Sequence, residues 1–148
     1  MKFWDSSALV PLLVLQEATS AVQALALRGD GIIVWWSTVV ECTSALARLE
    51  RAGAISRDGS TIAYQRLAEI AASWNEIDPT AAVRETAQRF LRVHDLRTAD
   101  ALQLAAAFVA AEGRPSTLEI VCLDDRLSLA AAREGFSVLG RRELLGAG

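Results

Sequence analysis

Lys2-Phe3-Trp4-Asp5-Ser6-Ser7-Ala8-Leu9-Val10 opens the chain with an apolar run, a carboxylate, two hydroxyls and the start of an apolar helix. The order reads as a buried strand, Lys2–Asp5, that turns directly into a helix and leaves Asp5 at the strand exit. Open α/β sheets hold their ligands at such exits. A similar order recurs twice. Ile32-Ile33-Val34-Trp35-Trp36 leads into Ser37-Thr38-Val39-Val40-Glu41, and Leu118–Leu123 leads into Asp124-Asp125-Arg126-Leu127. β-Branched and aromatic runs of this length are strand signals, and the helical patterns between them imply parallel pairing by right-handed crossovers.

Working outward, the first helix is expected from Ser7 to about Leu15, with Pro11 near its first turn, where the missing N–H costs least. A second helical stretch covers Glu17–Arg28, and Gly29-Asp30-Gly31 is a turn signal. The helix after the second strand runs to about Ala52, with Val40, Ala45, Leu46 and Leu49 on its apolar face. Ser56–Ser73 follows as a helix with Ile62, Leu67 and Ile70 inward, then a short third strand within Trp74–Asp78. Thr80 caps a helix through about Val93, and Arg97-Thr98-Ala99-Asp100 opens an Ala-rich helix to Ala111. The helix opened by Asp124 ends at Gly135, and Phe136–Leu139 is a last short strand. The expected fold is α/β: a three-layer α/β/α sandwich around a four- or five-stranded parallel sheet. One domain fills residues 1–140, and 141–148 is a short C-terminal tail, expected to fray.

The bulk numbers agree. A chain of 148 residues buries roughly 68–70% of its unfolded surface and needs no staples. Its two cysteines, Cys42 and Cys122, stand far apart and in apolar patterns, which suits buried thiols in a reducing, cytoplasmic setting. No apolar run approaches the ~20 residues of a membrane helix. A net charge of −3 excludes bulk electrostatic adhesion to nucleic acid, although Lys2 is the only lysine and the remaining positive charge is arginine, suited to bidentate phosphate contacts.

Asp5, Glu41, Asp100 and Asp124 each admit a capping role. Asp5 and Asp124 can cap their helices, Glu41 with Thr38 matches a T-x-x-E capping box, and Asp100 behind Thr98 suits the helix dipole. Together they imply more, because in a parallel sheet all strand exits share one rim. A bare like-charge pair at 4 Å costs about 4 kcal/mol at an effective dielectric near 20. The cluster therefore calls for a cation or for raised pKa values, and hard oxygen donors without histidine or thiolate suit Mg²⁺ or Mn²⁺. Ser6 is placed to hydrogen-bond a ligand, a water or a second carboxylate, while Ser37 and Thr98 read as caps.

These residues resemble the PIN domain family, and within it the VapC-like toxins of toxin–antitoxin pairs. The resemblance rests on Phe3–Leu13, Ser37–Glu41, Leu96–Ala107 and Val121–Leu127 with Ala130–Phe136, in that order. It departs at Cys122, where the family often carries Thr or Ser, and it leaves Asp125 as a competitor of Asp124. The resemblance implies an α/β/α fold and a Mg²⁺- or Mn²⁺-dependent endoribonuclease acting as the toxin of a type II pair. It gives Asp5, Glu41, Asp100 and Asp124 the acidic metal-site roles. It also implies an RNA substrate, a VapB-like antitoxin partner and a homodimer.

Asp5 and Asp100 are the expected direct ligands. Glu41 and Asp124 ligate directly or through water, or orient the nucleophile. Arg97 near Asp100, and Arg48, Arg51 and Arg57, are candidates for the RNA backbone. Trp35, Trp36 and Trp74 are candidates for stacking, against a core role, and His94 reads as structural or exposed. The competing readings are a catalytically weak PIN-like module that binds RNA or a partner, another Mg²⁺-dependent phosphohydrolase, and a purely structural interaction protein. The D-x-D-x-T signature of aspartyl-phosphate phosphatases and the glycine-rich nucleotide loops are absent.

Overall fold

The computed structural model describes residues 1–146. Five strands form one sheet: β1 (Lys2–Trp4), β2 (Ile32–Trp35), β3 (Asn75–Ile77), β4 (Glu119–Val121) and β5 (Ser137–Leu139). All pairings are parallel, in the order β3-β2-β1-β4-β5. Register sets Lys2 against Ile32 and Trp4 against Val121. The chain winds outward from β1 in both directions, so the reversal of strand order lies between β1 and β4. The crevice at their carboxyl ends is where such a sheet accepts a ligand.

Alternation along the strands divides the core in two. Phe3, Ile33, Trp35, Ile120 and Cys122 point to one face, against α5 (Ala81–Val93), α6 (Thr98–Ala110) and α7 (Asp125–Arg133). Trp4, Val34 and Val121 point to the other, against α1 (Ser6–Leu13), α2 (Thr19–Ala26), α3 (Thr38–Arg51) and α4 (Arg57–Ala71). The result is the expected α/β/α sandwich, with five strands rather than four. Both faces of the inner strands β1, β2 and β4 are largely buried, which is why these strands read as apolar runs. Among the described residues, no helix is long and apolar enough to cross a membrane.

Four local expectations are corrected. Pro11 lies inside α1, one turn past its start, where its missing N–H withdraws a bond from the Ser7 carbonyl; the helix ends two residues later. Val40 and Ile62 face solvent, at 64% and 49% exposure. The buried stripes are Thr38, Cys42 and Leu46 on α3 and Ser60, Ala63 and Leu67 on α4. Val40 and Ile62 each stand two residues from a stripe member, about 200° around the helix, and so on its far side. Ser37 and Thr98 are not caps by hydrogen bond: Ser37 holds the N-cap position without a side-chain bond to the backbone, and Thr98 is the first residue of α6. The expected frayed tail instead forms a further helix, α8 (Arg141–Leu145), whose Leu144 and Leu145 pack on the second core. Residues 147–148 of that tail lie outside the described residues.

Candidate active site

Asp5 follows β1, and its backbone N–H still bonds the Val121 carbonyl at 3.0 Å, so the sheet pins it. It is the N-cap of α1, and its Oδ2 accepts the Ser7 N–H at 3.1 Å. Asp124 is the N-cap of α7 and accepts the Leu127 N–H at 2.8 Å. For these two acids the capping reading is realised. Each cap bond fixes the carboxylate at a strand exit on the same rim.

Glu41 departs from the capping box. Its Oε1 accepts the Ser6 hydroxyl at 3.2 Å, and its Oε2 accepts the Ser37 hydroxyl and the Gln103 amide, each at 3.0 Å. Side chains from α1, the α3 N-terminus and α6 thus hold this carboxylate from three directions. Asp100 is the third residue of α6, which packs beside β2, and it accepts no hydrogen bond among the described residues.

The four acids line one cavity of about 390 Å³, together with Ser6, Ser7, Ser44 and Arg48. The electrostatics carry the mark of that convergence. Burial, opposed by the Ser7 hydrogen bonds and reinforced by the charges of Glu41 and Asp124, pushes Asp5 up to about 6. Burial, then the charges of Asp124 and Asp5, pushes Asp100 up to about 6, against the opposing pull of Arg97 and Arg126. Glu41 is raised as well, chiefly by burial, although its three hydrogen bonds work the other way. Carboxylates whose charges are felt by one another are poised to be neutralised by a cation.

The donor set fits a hard divalent ion. Among the described residues no three of these acids form a ready-made metal cluster. An ion here would take one or two carboxylates directly and fill its remaining positions with water and phosphate oxygen, which is the habit of Mg²⁺. Thiolate ligation has no support: burial raises Cys42 to about 12 and moves Cys122 upward too.

Of the remaining sequence candidates, Ser6 meets the second carboxylate, as one of its expected partners. Arg48 lines the cavity and donates to Ser44 at 2.9 Å, whereas Arg51 and Arg57 do not line it. Arg97 is exposed at the start of α6 and acts on Asp100 through its charge. Asp125 opens instead onto a different cavity, shared with His94, Arg126 and Arg133. His94 is structural: its Nε2 lies 2.6 Å from Glu134 Oε2, with the side chain 6% exposed. Sequence reasoning missed Gln103, which is 1% exposed and also donates to the Thr38 hydroxyl at 3.0 Å. Its signal was a lone amide in the apolar run Ala101-Leu102-Gln103-Leu104-Ala105, one turn after Asp100. Ser7 was missed as well; its hydroxyl accepts the Leu123 N–H at 2.9 Å and ties β4 to α1 beneath the site.

Residues 2–133 match the family model described as PIN domain. No curated protein matches the sequence significantly. Among solved structures, FitAcB from Neisseria gonorrhoeae is similar with a TM-score of 0.63 at 18% identity, over 93% of this chain and 96% of that one. FitAB bound to an IR36 DNA fragment is similar with a TM-score of 0.62 at 18% identity, over 95% and 94% of the two chains. At that identity the likeness shows the fold.

Proposed function

This chain belongs to the PIN domain family, and on that premise we propose that it is a Mg²⁺- or Mn²⁺-dependent endoribonuclease, the VapC-like toxin of a toxin–antitoxin pair. One observation carries the reading: Asp5, Glu41, Asp100 and Asp124, from four separate elements, line one cavity at the switch point of the sheet. A divalent cation, when bound, supplies an activated water and neutralises charge on the phosphodiester. Asp5 and Asp100 would hold such an ion. Asp5 is set by its cap bond, and Asp100 accepts no hydrogen bond among the described residues. Glu41, fixed by Ser6, Ser37 and Gln103, and Asp124, fixed by the Leu127 N–H, would orient the attacking water and take up its proton. Arg48 holds a backbone phosphate at the cavity wall, and Arg97 offsets the acidic field at its edge.

The proposal includes a VapB-like antitoxin, a second copy of the chain and a cytoplasmic setting, all from the family resemblance. That FitAB is bound to DNA in its structure suits a pair whose partner contacts DNA. The test is incubation of the purified chain, freed of any partner, with single-stranded RNA in Mg²⁺, Mn²⁺ or EDTA. Internal cleavage that stops in EDTA supports the reading. RNA binding without cleavage in either metal replaces it with the weaker alternative of a non-cleaving PIN module.

A further inference from the structure

We propose that Trp36 is a stacking platform for an unpaired base of the RNA strand whose phosphodiester enters the acid cavity. The inference rests on the nuclease reading and names how that site holds its substrate. Of the four tryptophans, Trp4, Trp35 and Trp74 are 1%, 5% and 8% exposed, and Trp36 is 51% exposed. The core therefore absorbs three indoles and leaves one in water. The Trp36 backbone is fixed, because its N–H donates to the Ile77 carbonyl at 3.1 Å at the end of the sheet. The next residue, Ser37, donates to Glu41 at 3.0 Å, so the indole springs from the residue adjoining the one that holds a site carboxylate.

A hydrophobic staple at the helix start does not account for the indole. A hydrophobic residue just before an N-cap packs on the fourth helical residue. With Ser37 as the N-cap, that fourth residue is Glu41, which turns into the acid cavity and offers no apolar surface. Val40, in the first turn of α3, is also exposed, so two apolar side chains stand in water at the start of the helix that carries Glu41.

The charge balance says why stacking is needed. The chain carries a net charge of −3, the cavity is lined by four acids, and among the described residues Arg48 is the one cation lining it. Beyond Arg48 and a bound cation, side-chain charge attracts the phosphates little. Base–aromatic stacking is indifferent to that charge, tolerates any base, and costs little entropy on a rigid indole. A duplex hides its base faces, so the platform selects single strands.

The test compares wild type, Trp36→Ala and Trp36→Phe in Mg²⁺-dependent cleavage of one mixed-sequence oligoribonucleotide, single-stranded or annealed to its complement. Trp36→Ala raises KM for the single strand by roughly 5- to 100-fold, the equivalent of one lost stacked base, with kcat nearly unchanged. Trp36→Phe recovers most of the loss, all three proteins melt alike, and the duplex responds to none of the changes. The proposal is overturned if Trp36→Ala keeps the wild-type KM, or if kcat falls instead. It is equally overturned if the substitution alters the native mass and leaves KM alone, since Trp36 then belongs to an interface between copies. Absence of cleavage by the wild type in both metals is a different result, one that removes the nuclease reading and this inference with it.

Discussion

Replacing Asp5 by asparagine is expected to stabilise the metal-free protein while destroying its function. Asparagine is nearly isosteric, and its amide oxygen can still accept the Ser7 N–H that Asp5 accepts at 3.1 Å. What it removes is a buried charge facing two others. The Asp5 carboxyl is pushed up to about 6, first by burial and then by Glu41 and Asp124, from an ordinary value of 3.8. For an acid raised in the folded state, the native protein keeps a proton that the unfolded chain has already lost. Stability therefore falls as pH rises from about 4 through about 6, and above that the penalty is complete. A shift of this size corresponds to roughly 3 kcal/mol at pH 8. Relaxation and water in the cavity reduce it, so Asp5→Asn should gain roughly 1–3 kcal/mol, or about 3–10 °C in Tm for a chain of this size. Calorimetric melting in EDTA at pH 8 and at pH 4.5 reads the effect. The gain should be full at pH 8 and fall to about a third of that at pH 4.5, where the folded wild-type carboxyl is neutral but the unfolded one is still mostly ionised. A variant that melts below wild type at pH 8, or that shows the same difference at both pH values, would refute the argument that Asp5 is a strained acid as well as a helix cap.

Three further outcomes follow from the same geometry. Asp124→Asn should abolish metal-dependent RNA cleavage and Asp125→Asn should leave it at the wild-type rate, because only Asp124 opens onto the acid cavity; paired cleavage assays decide it. Gln103→Leu should keep the fold by circular dichroism yet lower the cleavage rate by roughly 10- to 100-fold, the usual effect of freeing a site carboxylate from its positioning partner. His94→Ala should lower stability by roughly 1–3 kcal/mol through loss of a buried hydrogen bond, measured by urea unfolding, with cleavage unaffected.

The strand–helix order was legible because buried parallel strands must be apolar on both faces, and Lys2–Trp4 and Ile32–Trp35 were read almost to the residue. The strand-exit acids were legible for the same reason: a carboxylate directly after such a run has nowhere to go but the rim. Tertiary contacts were harder to read. Val40 and Ile62 look inward by hydropathy, yet which side of α3 and α4 is buried depends on where each helix lands on the sheet. Glu41 spelled a capping box with Thr38, but Gln103 from α6 and Ser6 from α1 outcompete the backbone for its oxygens. Those partners are 62 and 35 residues away, and no local pattern announces them. The closing helix α8 was missed because its apolar residues, Leu144 and Leu145, form no periodic face within five residues and gain their partners only from the second core.

The central claim is that the rim acids form one divalent-cation site, and calorimetric titration of the partner-free chain with Mn²⁺ tests it most directly. At pH 7.5 the wild type should bind Mn²⁺ with little proton release, and as pH falls through 6 it should bind more weakly and release protons, because the raised carboxyls of Asp5 and Asp100 must ionise to bind. Asp5→Asn and Asp100→Asn should lose that binding while remaining folded, and Asp125→Asn should retain it. Absence of Mn²⁺ binding by the wild type, or equal binding by all four proteins, would contradict the account.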